Sequence, residues 1–195
     1  WEDIQPFLRK LNEKQASKTT FSLPTEAQWE YACRAGSWTS YWFGNNVDEL
    51  ASHDWFADNS GGKTHPVGQL KPNPFGLYDM HGNVVEFCAD WHQPGYYAQA
   101  PKDDPLGPPD GTHRVARSAG WEAAAVHCMS WARHAFPPTP RYEYIGFRLA
   151  ASIDVIGANR ETTAIPANNP NRVPAPAKAP FDAAQARAHQ EAWAK

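Results

Sequence analysis

The sequence predicts a mixed helix-and-strand domain in which irregular chain outweighs both. Within the domain, helical signals occur in two stretches near its start, residues 1–15 and the run from Thr25. A strand signal opens at RVARSAGW, residues 114–121. Between and around these lie long runs punctuated by glycine and proline, thirteen and eighteen in all, which favour turns over regular elements.

The first helix is predicted from Ile4, Phe7, Leu8 and Leu11, which recur at i, i+3, i+4, i+7 and form one apolar face. Pro6 is compatible with it only near the first turn, where a missing N–H costs nothing. The second helix has Thr25 and Gln28 at capping-box spacing, a Leu23-Pro24 lead-in and Gly36 as a stop. Trp29, Ala32 and Cys33 fall on one face of it and read as core. Residues 36–68 read as loop, with His65 before Pro66 as a turn residue whose ring is solvated or hydrogen-bonded. Residues 92–113, with Tyr96-Tyr97, read as a surface loop.

Composition sets the outer bounds. A chain of 195 residues is long enough for one domain with a sizeable core, and 42% hydrophobic with 20% charged residues is a globular balance. No run approaches the ~18 apolar residues of a membrane span, which gives no expectation of a membrane partner. A net charge of −3 without a basic cluster argues against nucleic acid. Cys33, Cys88 and Cys128 are odd in number and form no C-x-x-C, so neither a zinc site nor a complete disulfide framework is expected.

Residues 73–91, NPFGLYDMHGNVVEFCADW, are the densest in chemistry. Asn73-Pro74, Gly76 and Gly82 favour tight reversals, and Asp79 and Glu86 flank the Gly82-Asn83 turn. Carboxylates beside exposed carbonyls suit a hard cation such as Ca²⁺; alternatively the two acids cap turns and pair with Arg or Lys. Asn83 is expected to pin the turn through its amide.

GLYDMHGNVVEFCADW, with LPTEAQWEYACRAG before it and RVARSAGW and IGFRLA after it, resembles the formylglycine-generating enzyme, or sulfatase-modifying factor, family. The four motifs occur in the family's order. The resemblance implies an irregular α+β domain related to C-type lectins over residues 1–152, lacking the family's N-terminal portion. It implies Ca²⁺ held by Asp79 and Glu86 side chains with the Gly82 and Val84 carbonyls. It also implies that Cys33, whose usual partner position in the closing motif is Leu149, is a buried free thiol.

The same resemblance locates the reactive centre. Active members hold Cu(I) between two cysteines and have a serine three residues before the first, because soft thiolates select Cu(I). Here the second cysteine is Cys128, but the first position is Ala123 and the serine position is Gly120. Val85 stands where the family has a cleft-facing Trp. The expectation is therefore a degenerate copper site and a cleft near Trp121, His127 and Arg133 that binds a protein, peptide or small-molecule ligand. Two alternatives stand beside it: a copper-dependent oxidase working through Cys128, and the C-terminal half of an iron-dependent sulfoxide synthase of ergothioneine type. Residues 153–180 read as a Pro/Ala-rich linker and 181–195 as the start of a helix leading to a further module.

Overall fold

A computed structural model describes residues 1–14 and 19–153. The expected linker and final helix lie outside the described residues, except for the linker's first position, Ile153, whose backbone closes a strand. The described chain runs α1 (Ile4–Lys14), β1 (Thr19–Ser22), α2 (Glu26–Arg34), β2 (Val85–Trp91), β3 (Arg114–Arg117), β4 (Arg133–Phe136), β5 (Ile145–Gly146) and β6 (Ala150–Ile153). Short 3₁₀ turns at Val47–Ser52, Tyr96–Ala98 and Ala125–His127 interrupt the loops. The expected mixture of few helices, short strands and much irregular chain is what forms.

Four strands make one sheet in the order β4-β3-β2-β5. Its pairs are antiparallel except β2 with β5, where Val85 lies beside Ile145 and Glu86 beside Gly146. Side chains alternate along β2 and β3, so the sheet presents two different faces. Val85, Phe87 and Ala116 pack with Ile4 and Leu8 of α1 and with Leu23. Cys88 and Val115 pack with Trp29 and Cys33 of α2 and with Met80. The strand read from RVARSAGW stops at Arg117, because Ser118 turns into the left-handed region at φ 68°.

The helices form for the reasons expected of their capping and apolar residues. Thr25 and Gln28 make both bonds of a capping box, and Ala35, rather than Gly36, takes the left-handed position that ends α2. In α1, Ile4 and Leu8 are buried, while Phe7 is exposed and rests edge-on against Phe147 at 5.6 Å. Asn12 at the end of α1 donates to the carbonyl of Phe21 and accepts from its N–H, at 2.9 and 2.8 Å. That amide imitates a neighbouring strand and blocks the edge of β1 opposite β6, a local defence against unwanted pairing.

What α2 buries includes charge as well as apolar surface. Arg117, wholly buried, donates to Glu26 at 2.9 Å, to Glu30 at 2.7 Å and to the Ser130 carbonyl at 2.7 Å. Arg133 clasps both oxygens of Glu26, Arg34 binds Glu30, and the Tyr97 hydroxyl donates to Glu26 at 2.6 Å. Tyr97 therefore departs from the surface-loop expectation, since its hydroxyl completes the shell of a buried carboxylate. Asp90 on β2 accepts from the Glu26 N–H at 2.7 Å and so caps the same helix.

Two expected outcomes follow from this arrangement. Arg117→Met should lower stability by roughly 3–5 kcal/mol, because Glu26 and Glu30 would each keep a buried charge and lose a partner. Urea denaturation measures it; a loss below about 1 kcal/mol would mean that Arg133 and Arg34 neutralise the two glutamates unaided. The second concerns Asp90, whose carboxyl is pushed up by burial from 3.8 to about 6. A folded pKa above the unfolded one means that the folded state holds the proton more tightly, so this stabilisation is complete at low pH. It is lost as pH rises from near 4 through about 6. Asp90→Asn should therefore gain stability relative to the parent across that window, read as the difference between their unfolding curves at each pH.

Candidate functional site

The turn at residues 79–84 is built by close approaches that few sequences permit. A Cβ on Gly82 would lie 2.4 Å from the Trp55 carbonyl oxygen, so only glycine fits without movement. The next residue, Asn83, sits at φ 69° and donates its own N–H to that carbonyl at 2.7 Å. Its side-chain amide binds both the N–H and the carbonyl of His65, at 2.9 and 3.0 Å, and so does pin the turn as expected. His65 stacks on Trp55 at 3.8 Å and places Nε2 2.7 Å from the Ser60 carbonyl, a hydrogen-bonded ring as the sequence suggested.

Two further chain segments hang from this turn. The N–H of Trp121 donates to the Asn83 carbonyl, and the N–H of Val85 donates to that of Tyr144, both at 2.9 Å. The expected cleft residues Trp121 and His127 belong to the first segment, Trp121 half-buried and His127 exposed in the 3₁₀ turn. Arg133 does not join them. Its guanidinium is spent on Glu26 and lies over Tyr97, on the sheet face that packs against α2. Val85, expected to reshape the cleft wall, is buried in the cluster around α1 instead, because β2 alternation turns it to that face. Ala125–His127 is a 3₁₀ turn capped by Cys128 rather than extended chain, yet His127 and Cys128 still diverge, one exposed and the other buried.

Cys128 is fully buried among Tyr41, Leu50, Phe56 and Ala119, with Ala123 packed against the same group. Its Sγ lies 3.6 Å from the Ala124 carbonyl. Burial drives its pKa well up, and the carboxylates of Asp54, Glu122 and Asp58 push the same way. The thiol is protonated at neutral pH. Cu(I) asks for two soft thiolates, and this pocket offers one protonated thiol, with Ala123 packed against the same cluster where a second sulfur would be needed, so the residues present do not fit the metal.

Gly120, at the serine position, is covered by a carboxylate: a Cβ there would meet the Glu122 oxygens at 2.2 and 2.7 Å. Sequence reasoning passed over Glu122, and only its distance of two residues from Gly120 could have drawn attention to it. Cys33 is free and buried, and desolvation raises its thiol to about 12, in line with the expected inert role.

The expected calcium ligands have divided surroundings. Asp79, at φ 56°, accepts from Gly68 N through Oδ2 at 2.9 Å, while Oδ1 is buried with no hydrogen-bond partner among the described residues. Burial raises the Asp79 carboxyl, which the Gly68 amide and Arg148 oppose. Glu86 accepts from Trp29 Nε1 at 2.7 Å and is clasped through both oxygens by Arg148, which also donates to the Tyr78 and Asp79 carbonyls at 3.2 Å. The alternative reading, a carboxylate paired with arginine, is thus what Glu86 does. The orphaned, buried Asp79 oxygen is the feature here that suits a hard cation. Among the described residues no three His, Cys, Asp or Glu side chains gather for a metal, so an ion here would depend on main-chain carbonyls.

Fold and motifs together define a class, and comparison bears this out: residues 1–153 match the sulfatase-modifying factor enzyme 1-like domain. The chain belongs to that family. It is 32% identical over 170 residues to the formylglycine-generating enzyme of Streptomyces coelicolor, covering 80% of this chain and 52% of that protein. The chain thus spans about half the length of that relative. PvdO from Pseudomonas aeruginosa superposes with a TM-score of 0.69 at 29% identity, over 77% of this chain and 59% of its own. Treponema denticola variable protein 1 does so with a TM-score of 0.60 at 39% identity, over 67% and 47%. These neighbours support the irregular formylglycine-generating-enzyme fold.

Proposed function

We propose that this domain is a ligand-binding module of the sulfatase-modifying factor family that does not oxidise cysteine to formylglycine. The observation that carries the reading is the state of Cys128: a buried thiol, raised by its surroundings, opposite Ala123 where a second sulfur is needed. A thiol that stays protonated is a poor nucleophile and a poor soft-metal ligand. With Glu122 over Gly120, no hydroxyl stands at the third position either. What is left is the half-open ground around Trp121 and His127, which can hold a peptide or small molecule without reacting with it.

The direct test supplies Cu(I), O₂ and a peptide of the Cys-x-Pro-x-Arg pattern, and looks for aldehyde by mass spectrometry. No aldehyde is expected, and copper should be retained only after Ala123→Cys. Turnover that vanishes in Cys128→Ala would restore the oxidase.

Calcium belongs to the same reading as a structural ion, held by Asp79, the Gly82 and Val84 carbonyls and a Glu86 shared with Arg148. Its contribution would be to neutralise the buried Asp79 carboxylate and to fix the turn that Trp121 and Tyr144 hang from. Chelation by EDTA should lower the thermal midpoint by a few degrees and added Ca²⁺ should restore it, since a ligand of the folded state alone stabilises by mass action. A midpoint indifferent to both would leave Arg148 as the turn's sole counter-charge.

A further inference from the structure

A groove between α1 and β1 has no part in the site described above. Its volume is about 560 Å³, and it is lined chiefly by Leu8, Arg9, Asn12 and Glu13 from the helix and by Phe21 and Ser22 from the strand. Leu8 is buried and Phe21 half-buried, while Arg9, Glu13 and Ser22 stand exposed around them. Arg9 and Glu13 are one helical turn apart, yet neither takes part in any of the ion pairs found among the described residues.

Two features restrict what can lie there. An extended peptide would need the free edge of β1, and on that side the Asn12 amide already serves both the N–H and the carbonyl of Phe21. A helix needs no such edge, because its backbone bonds are internal. The second feature is charge. A base followed by an acid four residues later complements the same pair on another helix only when the two run antiparallel.

Residues 181–195, FDAAQARAHQEAWAK, meet both conditions. They lie outside the described residues, and the sequence reads them as a helix entered at Asp182. Ala184, Arg187, Ala188 and Glu191 recur at i, i+3, i+4, i+7 and so share one face. Laid antiparallel to α1, that face sets Glu191 against Arg9 and Arg187 against Glu13, whereas a parallel approach would set like charges together. Its two alanines present only methyl groups, which lets a helix come close to Leu8 and Phe21.

The connection is short enough to make even a weak contact count. Ile153, the last residue of β6, pairs with Thr19, which is three residues, or roughly 10 Å, along β1 from Ser22. Residues 154–181, extended at ~3.1 Å per residue where proline-rich, exceed that distance several-fold. Exposed ion pairs are individually weak, but a tethered segment meets its groove at an effective concentration on the order of millimolar. We propose that residues 181–195 dock as a helix in the α1–β1 groove of their own chain, antiparallel to α1, with Glu191 on Arg9 and Arg187 on Glu13. This docking is independent of the ligand-binding reading above and stands or falls apart from it.

The experiment places a nitroxide on the full chain through Lys195→Cys; Cys33, Cys88 and Cys128 are buried and stay unlabelled. Antiparallel docking should broaden the amide NMR signals of Gln5, Leu8, Arg9 and Ser22 and spare those of β4. Glu191→Arg should cut that broadening about fivefold, and adding Arg9→Glu to the same chain should restore it, which a general disturbance of α1 would not do. Groove amides broadened no more than those of β4, broadening undiminished in Glu191→Arg, or a charge swap that fails to restore it would each overturn the proposal. So would equal broadening of isotope-enriched, unlabelled chains mixed with labelled ones, which would assign the groove to a second copy.

Discussion

Arg117 is the residue on which the architecture turns. It stands at the end of β3, is shielded from water, and connects two carboxylates of α2 with the carbonyl of Ser130. A guanidinium buried alone would be ruinous, and so would Glu26 or Glu30, but in company they convert a packing contact into one with fixed register. Glu26, Glu30 and Arg34 are spaced by four and share a helix face beside Trp29, whose indole lies 5.5 Å from the Arg117 guanidinium. The helix cannot slide along the sheet without breaking several charge-assisted bonds at once.

The second constraint is the turn at Gly82-Asn83, and it works on a different scale. Its bonds are mostly backbone to backbone, joining residues 55, 65, 83, 121 and 144 through carbonyls and amides. Irregular chain of this kind has no ladder to satisfy its polar groups, so each must find a specific partner. Gly82 is mandatory because two backbones meet there at less than side-chain distance, and Asn83 because its amide can serve a donor and an acceptor together. The candidate site is thus set on loops, yet on loops fixed to one point.

Much of this was legible in the sequence, and what was missed follows a pattern. The capping box and the α1 face rest on short-range rules, in which a residue's neighbours within four positions decide its fate, whereas the free thiol of Cys33 followed from the family resemblance and the Asn83 amide finds its partner, His65, 18 residues away. The carboxylate partners of Arg117, Arg133 and Arg148 lie between 62 and 107 residues away, and no local spacing announces them. For that reason Arg133 was expected in the cleft, and Tyr97 on the surface, when both in fact serve Glu26. Val85 was misjudged on similar grounds: strand alternation says that it faces away from Glu86, but not which face of the sheet meets α1.

The ion network that holds α2 and the chain at residues 119–130 are fixed by different sets of bonds. The ion network holding α2 depends on Arg117, Arg133, Glu26 and Glu30, none of which touches Gly120, Ala123 or Cys128. On the other side of Ser118, chain 119–130 is anchored through main-chain bonds, Ala57 N to the Ala123 carbonyl and Ser130 N to that of Ser40, together with the Ser60 and Tyr41 hydroxyls on the Trp121 and Ala125 carbonyls. These bonds are indifferent to which side chain residues 120 and 123 carry. A scaffold whose backbone is fixed independently of its site residues constrains chemistry weakly, which suits a family whose members share one irregular fold.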